Sequence, residues 1–505
     1  MLTNSGNVFV RREVRDLKDN FPDQWTLYML ALESLHWSDQ KDPYSFFGLA
    51  SIHGRPYKTW GDAPGLSYKI GTAGYCPHGN ELFMPWHRPY LALFEAILSS
   101  YVHEIAVRAP ADQVERYLAA ANEFRMPYWD WAQGVAIGTV PEFFLTPTLT
   151  IDDTDGSEIT IYNPLYSYKF KPIPDGFDGK WRYINETIRW PDADDPWGRS
   201  QQWRFVEAFK EQASNLVAQM GVVFRSSTFS RFSSTLEDPH GWIHGIIGGG
   251  FNGNVSPNQG HMWPLEYSSY EPLFMLHHAN IDRLFSLYQA AHPDRWMESS
   301  NIGPHGNVFL EDNQAVDANT PLLPFRKDGD SFWTFNDSRN TSVLGYAYPE
   351  TQAWLFPSAT AYQENVTAKI STLYAGTAKT QLLSQQATAA TSSAQTILSP
   401  NNSFTDWTIE ASAIASTMPS SFIVSFSLVA LFQSDPIIDV GSWMVLMPER
   451  IPSVTKRPRV VEKVIRGTTS LTSHLIGRVE AGVLRSLEPE DVVPFLGEFL
   501  SWVVW

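Results

Sequence analysis

The sequence predicts a mainly helical domain followed by a small β domain, and three features of the chain support this. Apolar residues recur at helical spacing over 86–106 and again over 272–290. Residues 376–403 are rich in Ala, Thr, Ser and Gln and carry almost no charge, which is typical of a flexible linker. After it, SSFIVSFSLV and WMVLM are typical of strands, and we expect a small β-sandwich there.

The two helical segments are the best defined elements of the first domain. Their apolar positions are Leu91, Phe94, Leu98, Tyr101 and Ile105 in one, and Leu273, Leu276, Ile281, Leu284 and Leu287 in the other. Between 133 and 235 the chain is rich in Pro, Gly, Asp and Trp, so we expect long loops with short helices there. We divide the chain into a domain over 1–350, a linker over 351–403 and a C-terminal domain over 404–505.

Composition excludes several classes of protein. The 505 residues are 43% hydrophobic and 14% aromatic, enough for a large core and two domains. A net charge of −17 without a basic run argues against nucleic acid or an anionic membrane as a partner. The apolar run at 422–432 is about half the length of a membrane span. We therefore expect neither nucleic acid nor membrane as a partner, and a homo-oligomer stays open.

Cysteine usage bears on the compartment. Cys76 is the only cysteine, so an intramolecular disulfide is impossible and a reducing compartment is favoured. The N-terminal sequence MLTNSGNVFVRREVRDL lacks the apolar segment of a secretory signal. We expect a cytoplasmic, intracellular protein.

The thirteen histidines contain two sets of three that are surrounded by aromatic and carboxylate residues. The first set is His53, His78 and His87, and the second is His240, His244 and His278. A single histidine more often titrates or forms a hydrogen bond than binds a metal. We therefore assign no ligand role to His36, His103, His261, His292, His305 and His474.

The spacing of the second set of histidines supports its assignment as a set of metal ligands. His240 and His244 are four residues apart, which places both on one face of a helix. Asp282 follows His278 by one helical turn and could orient its imidazole, which favours His278 over His277 as the ligand. Nitrogen-only sets suit borderline or soft ions, and two copper ions are the leading interpretation. A dizinc hydrolase would usually need a bridging carboxylate, which neither set contains.

These segments resemble a known family. WHRPY with Glu95 behind it, PLF-x-x-HH-x-x-x-D, PYWDWA at 127–132 and the Tyr346-Ala347-Tyr348 motif are similar to the tyrosinase, catechol oxidase and polyphenol oxidase family of type 3 dicopper proteins, particularly its fungal branch. The resemblance covers about residues 1–350, and the last hundred residues more weakly. It departs at Glu271, where the family usually has Asp.

The resemblance implies a central four-helix bundle that holds two copper ions, with dioxygen as co-substrate and small phenols as substrates. In the family the second histidine of the HH pair is the ligand, which agrees with His278. Phe83 and Phe274 correspond to aromatic residues beside ligand rings, and Leu265 to a residue that controls substrate entry. A thioether crosslink from Cys76 to His78 is also implied. Arg11 or Arg12 would be the partner of the Tyr-x-Tyr motif.

The C-terminal domain resembles the shielding domain of fungal pro-tyrosinases, which covers the copper site until proteolysis removes it. The family places a bulky side chain over the entrance, for which Phe432 is the candidate and Trp443 the next. The cysteine pair of some relatives is absent from this domain. We therefore expect a latent proenzyme, of a kind whose relatives typically form pigment such as melanin.

Three positions bear on the choice between monophenols and diphenols. Glu237 could hold a water that acts as a base toward a phenol, whose pKa is near 10. Tyrosinases commonly have Asn at the position of Gly241, and neither Gly241 nor Gly245 offers a polar side chain. We predict oxidation of o-diphenols, and of o-aminophenols, with weaker monophenol hydroxylation. The alternatives are a full tyrosinase with strong monophenolase activity, or a dioxygen carrier.

Overall fold

The structure is a computed structural model. It describes residues 7–133, 139–250, 258–304, 306–374, 397, 403–418, 421–429, 437–447 and 463–505. The helices are α1 (Val14–Asn20), α2 (Pro22–Trp37), α3 (Phe46–Ala50), α4 (Phe83–Val107), α5 (Val114–Glu123), α6 (Gln202–Phe224), α7 (Phe229–Gly248), α8 (Leu273–Ala291), α9 (Phe335–Ser338), α10 (Ala359–Leu373), α11 (Thr472–Glu480) and α12 (Pro489–Phe499). The strands are β1 (Phe9–Val10), β2 (Thr148–Asp152), β3 (Glu158–Tyr162), β4 (Ser300–Asn301), β5 (Ala315–Val316), β6 (Tyr346–Ala347), β7 (Thr408–Ile414), β8 (Phe422–Leu428), β9 (Ile438–Val445), β10 (Val464–Ser470) and β11 (Leu500–Val504).

The first domain is mainly helical, as the sequence predicts. Helix α4 packs between α2 and α8, and α7 packs between α6 and α8. The predicted helices over 86–106 and 272–290 correspond to α4 and α8, whose apolar faces are buried. Helix α4 is long and apolar enough to cross a membrane by length and composition. It nevertheless carries buried His87, Arg88 and Glu95, so it serves here as a core helix.

The structure differs from the sequence prediction in three places. His53 lies in the turn after the five-residue α3 rather than on a long bundle helix. The stretch predicted as loops contains the 23-residue helix α6, whose buried side chains include Phe205, Phe209 and Leu216. Helix α10 lies inside the interval assigned to the linker and packs on α8. Its C-cap residue, Tyr374, is 2% exposed.

Tyr374 ties the end of α10 to the first domain. Its hydroxyl is 2.8 Å from a carboxylate oxygen of Asp130 and 2.8 Å from the Arg283 guanidinium. Arg283 also pairs with Asp130 at 2.9 Å and with Glu350. In this buried cluster the positive charge of Arg283 is balanced by the carboxylates of Asp130 and Glu350. The first domain therefore extends to about residue 374.

The described part of the C-terminal domain contains two small antiparallel sheets and two helices, in agreement with the predicted small β domain. One sheet pairs β7 with β10, and the other has the order β11-β8-β9. Its own apolar core includes Phe422, Trp443, Leu475 and Phe495. Side chains from the β8-β9 sheet also belong to the core of the first domain: Ile423, Met444 and Leu446. The two domains therefore share an apolar interface.

Candidate metal centre

Two groups of buried side chains could each hold a metal ion. The first contains His53, Cys76, His78 and His87, and the second contains His240, His244, His277 and His278. Within each group, the candidate ligand atoms all lie within 4.8 Å of one another. The structure thus brings together each of the two histidine sets predicted from the sequence.

The first set converges from a turn, a loop and a helix. His53 follows α3, Cys76 and His78 lie in the loop before α4, and His87 lies in the second turn of α4. The ring of His87 is fixed because Nδ1 lies 2.7 Å from the Phe83 carbonyl oxygen. A carbonyl can only accept, so Nδ1 carries the proton and Nε2 keeps its lone pair for an ion.

The second set comes from two adjacent helices. His240 and His244 lie one turn apart on α7, and His277 and His278 lie near the start of α8. His244 Nδ1 is 2.8 Å from the Met262 carbonyl oxygen, which leaves its Nε2 unprotonated. His240 Nε2 and His278 Nε2 face each other at 3.3 Å. Ligand bonds of about 2.0 Å place two nitrogens on one tetrahedral ion at roughly this separation.

The histidines are ready to bind metal. Burial lowers the pKa of His78 and of His244 to about 3, and it lowers the pKa of His87, His240 and His278 well below 6.5. Neutral imidazoles are the metal-binding form. Within the described chain, the buried Nε2 atoms of His78 and His244 have no hydrogen-bond partner. An unpaired buried polar atom costs about 1–3 kcal/mol, so two ions would complete these sets.

The geometry favours His278 over its neighbour His277. Trp131 donates its indole N–H to His277 Nδ1 at 3.1 Å, which holds that ring toward PYWDWA. His278 instead stacks on Phe274, with ring centroids 4.0 Å apart and 28° between planes. It also stacks on His87 of the first set at 4.3 Å. His278 therefore lies between the two sets.

Aromatic side chains separate the sets from the surrounding core. The Phe83 ring centroid is 4.7 Å from that of His240, 4.9 Å from that of His87 and 5.0 Å from that of His78. Phe274 also contacts His53 edge-on at 4.9 Å.

Leu265 is 5% exposed and its carbonyl accepts from the Ser268 hydroxyl at 3.1 Å. Gly245 lies on α7, where its carbonyl accepts from Gly249 N–H.

The sequence suggested that Asp282 orients the imidazole of His278. In the structure its carboxylate instead belongs to a network of arginine and tyrosine side chains. Its Oδ1 accepts from Arg88 Nε at 2.6 Å. Its Oδ2 accepts from the hydroxyls of Tyr346 at 2.5 Å and Tyr348 at 2.7 Å. Arg11 completes the group, with its guanidinium 3.5 Å from the Tyr346 ring centroid. Burial opposes ionisation of Asp282, but the two arginines and two hydroxyls outweigh it and lower its pKa.

The Tyr-x-Tyr partner is therefore Arg11, while Arg12 stacks on Phe21. Arg11 Nε also pairs with Glu95 of α4 at 2.9 Å. Because β1 pairs with β6, the segment that carries Arg11 and the tyrosine motif lie side by side. Together they fix α4 and α8, which carry His87 and His278.

Glu237 extends from α7 toward the first set. Its Oε1 accepts from Gly79 N–H at 2.8 Å and lies 3.5 Å from His78 Nδ1. Burial raises the pKa of this carboxyl to about 8. Glu237 thus reaches across the centre to the loop of His78, a contact that the sequence did not predict.

Cys76 lies among the ligands of the first set. Its Sγ is 3.5 Å from His87 Nε2. Burial raises the pKa of the thiol well above its usual value, with the Glu237 carboxylate adding to the effect. Cys76 is thus a protonated thiol within reach of both His78 and His87.

The C-terminal domain places Met444 at this centre. A Cβ atom built on Gly241, the residue after His240, would lie 3.0 Å from Met444 Sδ. The Met444 N–H donates to Asp238 at 2.6 Å, and Gln219 also donates to this carboxylate, at 3.2 Å. Met444 is 1% exposed. Because neighbouring residues of a strand point to opposite faces, the side chain of Trp443 points away from that of Met444.

Of the predicted entrance residues, Phe432 stays an untested prediction, and Met444 rather than Trp443 packs against the residue that follows His240. Phe432 lies outside the described residues. The Trp443 ring packs in its own domain, edge-on to Phe422 at 5.3 Å and against Gly467. Met444 was recognisable only as part of the apolar run WMVLM, which does not reveal which face of the strand meets the first domain.

A cavity of about 430 Å³ lies between the two domains and reaches the metal centre. His78 and His240, one histidine from each set, line it. From the first domain it also has Glu81, Arg231 and Glu237, and from the C-terminal domain Trp443, Met444 and Lys463. The centre can therefore be reached from the domain interface.

Comparisons with known proteins agree with this geometry. The common central domain of tyrosinase matches residues 43–291, and the tyrosinase C-terminal domain matches residues 406–505. A tyrosinase of Podospora anserina is 31% identical over 93% of this chain and 93% of its own length. A structure of recombinant mushroom tyrosinase superposes with a TM-score of 0.84 at 25% identity, covering 99% of this chain and 90% of that one.

The fold of most of the chain is shared with a proenzyme. The holo-protyrosinase of Aspergillus oryzae has a TM-score of 0.72 at 19% identity, covering 94% of this chain and 88% of that one. The expected family, the copper cofactor and the enzyme class are thereby confirmed. With its two buried histidine clusters suited to two copper ions, the chain belongs to the tyrosinase family and is a copper oxidoreductase.

Proposed function

We propose that this enzyme oxidises o-diphenols, and o-aminophenols, to o-quinones with dioxygen, and hydroxylates monophenols more slowly. We further propose that the full chain is latent until its C-terminal domain is removed. The observation that carries the proposal is the position of Met444, which packs against Gly241 beside His240.

We assign the first copper to His53, His78 and His87 and the second to His240, His244 and His278. When bound, the two ions supply the redox chemistry that passes two electrons from the phenol to dioxygen. The protein supplies neutral ligands, since burial keeps the pKa of these imidazoles low. Phe83 and Phe274 exclude water from the rings they contact.

The preference for diphenols rests on how a phenol would lose its proton. A monophenol must be deprotonated at a pKa near 10, which requires a positioned base. Glu237 is a carboxyl group of α7 that lines the cavity, but its Oε1 is engaged by Gly79 N–H and lies beside His78 Nδ1. Gly241 has no side chain with which to hold a water for it. These features support weak monophenol activity.

Latency rests on the contacts that hold the C-terminal domain over the centre. Asp238 on α7 binds the backbone of Met444, and Gln219 on α6 donates to the Thr468 carbonyl of β10. Ion pairs at the edge join Arg225 to Asp406 and Arg231 to Glu410. A phenol approaching His240 from this side would have to displace Met444.

Oxygen uptake tests the proposal directly. The copper-loaded full chain is assayed on a monophenol, catechol and an o-aminophenol before and after limited proteolysis between residues 375 and 403. We expect uptake only after cleavage, and faster on catechol than on the monophenol. Equal rates on both would indicate a full tyrosinase. Two bound coppers without any uptake after cleavage would indicate a dioxygen carrier instead.

A further inference from the structure

Glu81 is a buried carboxylate beside the metal centre. It is not one of the assigned copper ligands and has no role in the proposed redox chemistry. It follows His78 by three residues and is 9% exposed. Its Oε1 accepts from the Ser230 hydroxyl at 2.9 Å, and its Oε2 accepts from the Ser300 hydroxyl at 2.5 Å. Both serines belong to the first domain, so the carboxylate stays oriented whether or not the C-terminal domain is present.

The cationic partner of Glu81 comes from the C-terminal domain. Lys463 Nζ lies 3.3 Å from Glu81 Oε2 and 2.8 Å from the Asn301 carbonyl oxygen. The ammonium group is therefore bound by two oxygen acceptors, both supplied by the first domain. Burial opposes ionisation of Glu81, but Lys463 and the two serine hydroxyls outweigh it and lower its pKa.

This pair lies in the cavity that leads to the copper ligands. Glu81 and Lys463 line the same space of about 430 Å³ as His78 and His240. Removing the C-terminal domain takes the ammonium group away and leaves the carboxylate, both hydroxyls and the carbonyl in place. The carboxylate then lacks its counter-ion but keeps the two hydroxyl donors that orient it, so an ammonium group can form a charge-assisted hydrogen bond at this position.

We propose that Glu81 and the Asn301 carbonyl form an ammonium subsite that selects phenols bearing a primary ammonium group on a short chain. In the full chain Lys463 occupies this subsite as an internal substitute for the substrate ammonium. The inference rests on the proposed oxidation of phenols by the processed enzyme, but the subsite itself can be tested without turnover.

Binding to the full chain is the first test. Lys463→Ala removes the tethered ammonium, and n-butylammonium chloride, which has the four carbons and the ammonium group of a complete lysine side chain, is added at increasing concentration. We expect the unfolding temperature of Lys463→Ala to rise with concentration, because a ligand that binds only the folded state stabilises it. The wild-type chain and the Lys463→Ala/Glu81→Gln double variant should not respond. An equal rise in the double variant, or with n-butanol, would overturn the proposal, as would no rise in Lys463→Ala.

Kinetics of the processed enzyme, produced by limited proteolysis of the folded full chain, are the second test. The substrates are a catechol with an ethylammonium side chain and the same catechol with an ethyl group. Glu81→Gln should raise KM for the ammonium substrate by about tenfold, because one charge-assisted hydrogen bond is lost. It should leave kcat for that substrate, and both kcat and KM for the ethyl substrate, unchanged. Asp62→Asn, which alters an exposed ion pair with Arg326, is the matched control.

The two tests separate the failure of the subsite from the failure of the proposed function. If Glu81→Gln lowers kcat/KM equally for both catechols, Glu81 has only a structural role and the subsite is refuted. If the processed enzyme oxidises neither catechol while n-butylammonium still binds Lys463→Ala, the proposed function fails and the ammonium site stands.

Discussion

Replacing Met444 by alanine should release oxidase activity from the full chain without proteolysis. The side chain is 1% exposed and packs against Gly241 beside His240. Truncating a buried methionine to alanine costs about 2–5 kcal/mol. The backbone bond from Met444 N–H to Asp238 is kept, so only the side-chain contribution is lost. If about 2 kcal/mol of this side-chain contribution stabilises the docked C-terminal domain, the equilibrium constant for docking falls roughly thirtyfold in the variant.

The assay is oxygen uptake on catechol by the copper-loaded full chain, with copper content measured on the same sample. Met418→Ala is the matched control, because Met418 is partly buried against the core of the C-terminal domain and does not line the cavity. We expect catechol oxidation by Met444→Ala at a rate well above that of Met418→Ala before any cleavage. If Met444→Ala stays as inactive as the wild type and gains activity only on proteolysis, the side chain does not block the centre.

Three further outcomes follow from the site. His244→Ala should lose the second copper and all catechol oxidation, whereas His103→Ala, at a half-buried histidine outside both sets, should lose neither. Metal analysis and oxygen uptake check this, and retained turnover in His244→Ala would refute the ligand assignment. Copper loading in air should join Cys76 to His78, so mass spectrometry of the peptide containing both should find it two hydrogens lighter, and an unchanged mass in an active sample would exclude the crosslink. Gly241→Asn should raise the ratio of monophenol to diphenol oxidation in the processed enzyme severalfold, since a side-chain amide could then hold a water near Glu237. The same ratio in Gly241→Asn and the wild type would dismiss the argument from Gly241.

The sequence predicted those parts of the protein that depend on local pattern. The apolar spacing around α4 and α8 predicted both helices to within a few residues, because burial of one helical face requires that spacing. The pair of histidines four apart lies on one face of α7 for the same reason. The alternating and apolar segments after the linker predicted the strands of the C-terminal domain.

Local composition was misleading where helices and loops share one stretch of chain. Across 133–235 the content of Pro, Gly, Asp and Trp indicated loops, and this average concealed the amphipathic helix α6. The helix expected around His53 is short, since the chain turns at His53 and continues through Gly54 to Pro56. His53 reaches the first copper set through tertiary packing and not through a position on a long helix.

The sequence by itself determined the family, the two histidine sets and the division into a helical domain and a small β domain. Only the tertiary structure decided which partners meet across the domain interface. Glu81 and Lys463 are 382 residues apart in the chain, and Asp238 and Met444 are 206 apart. Short-range periodicity carries no information about such pairs, because the contact depends on how two separately formed domains pack together.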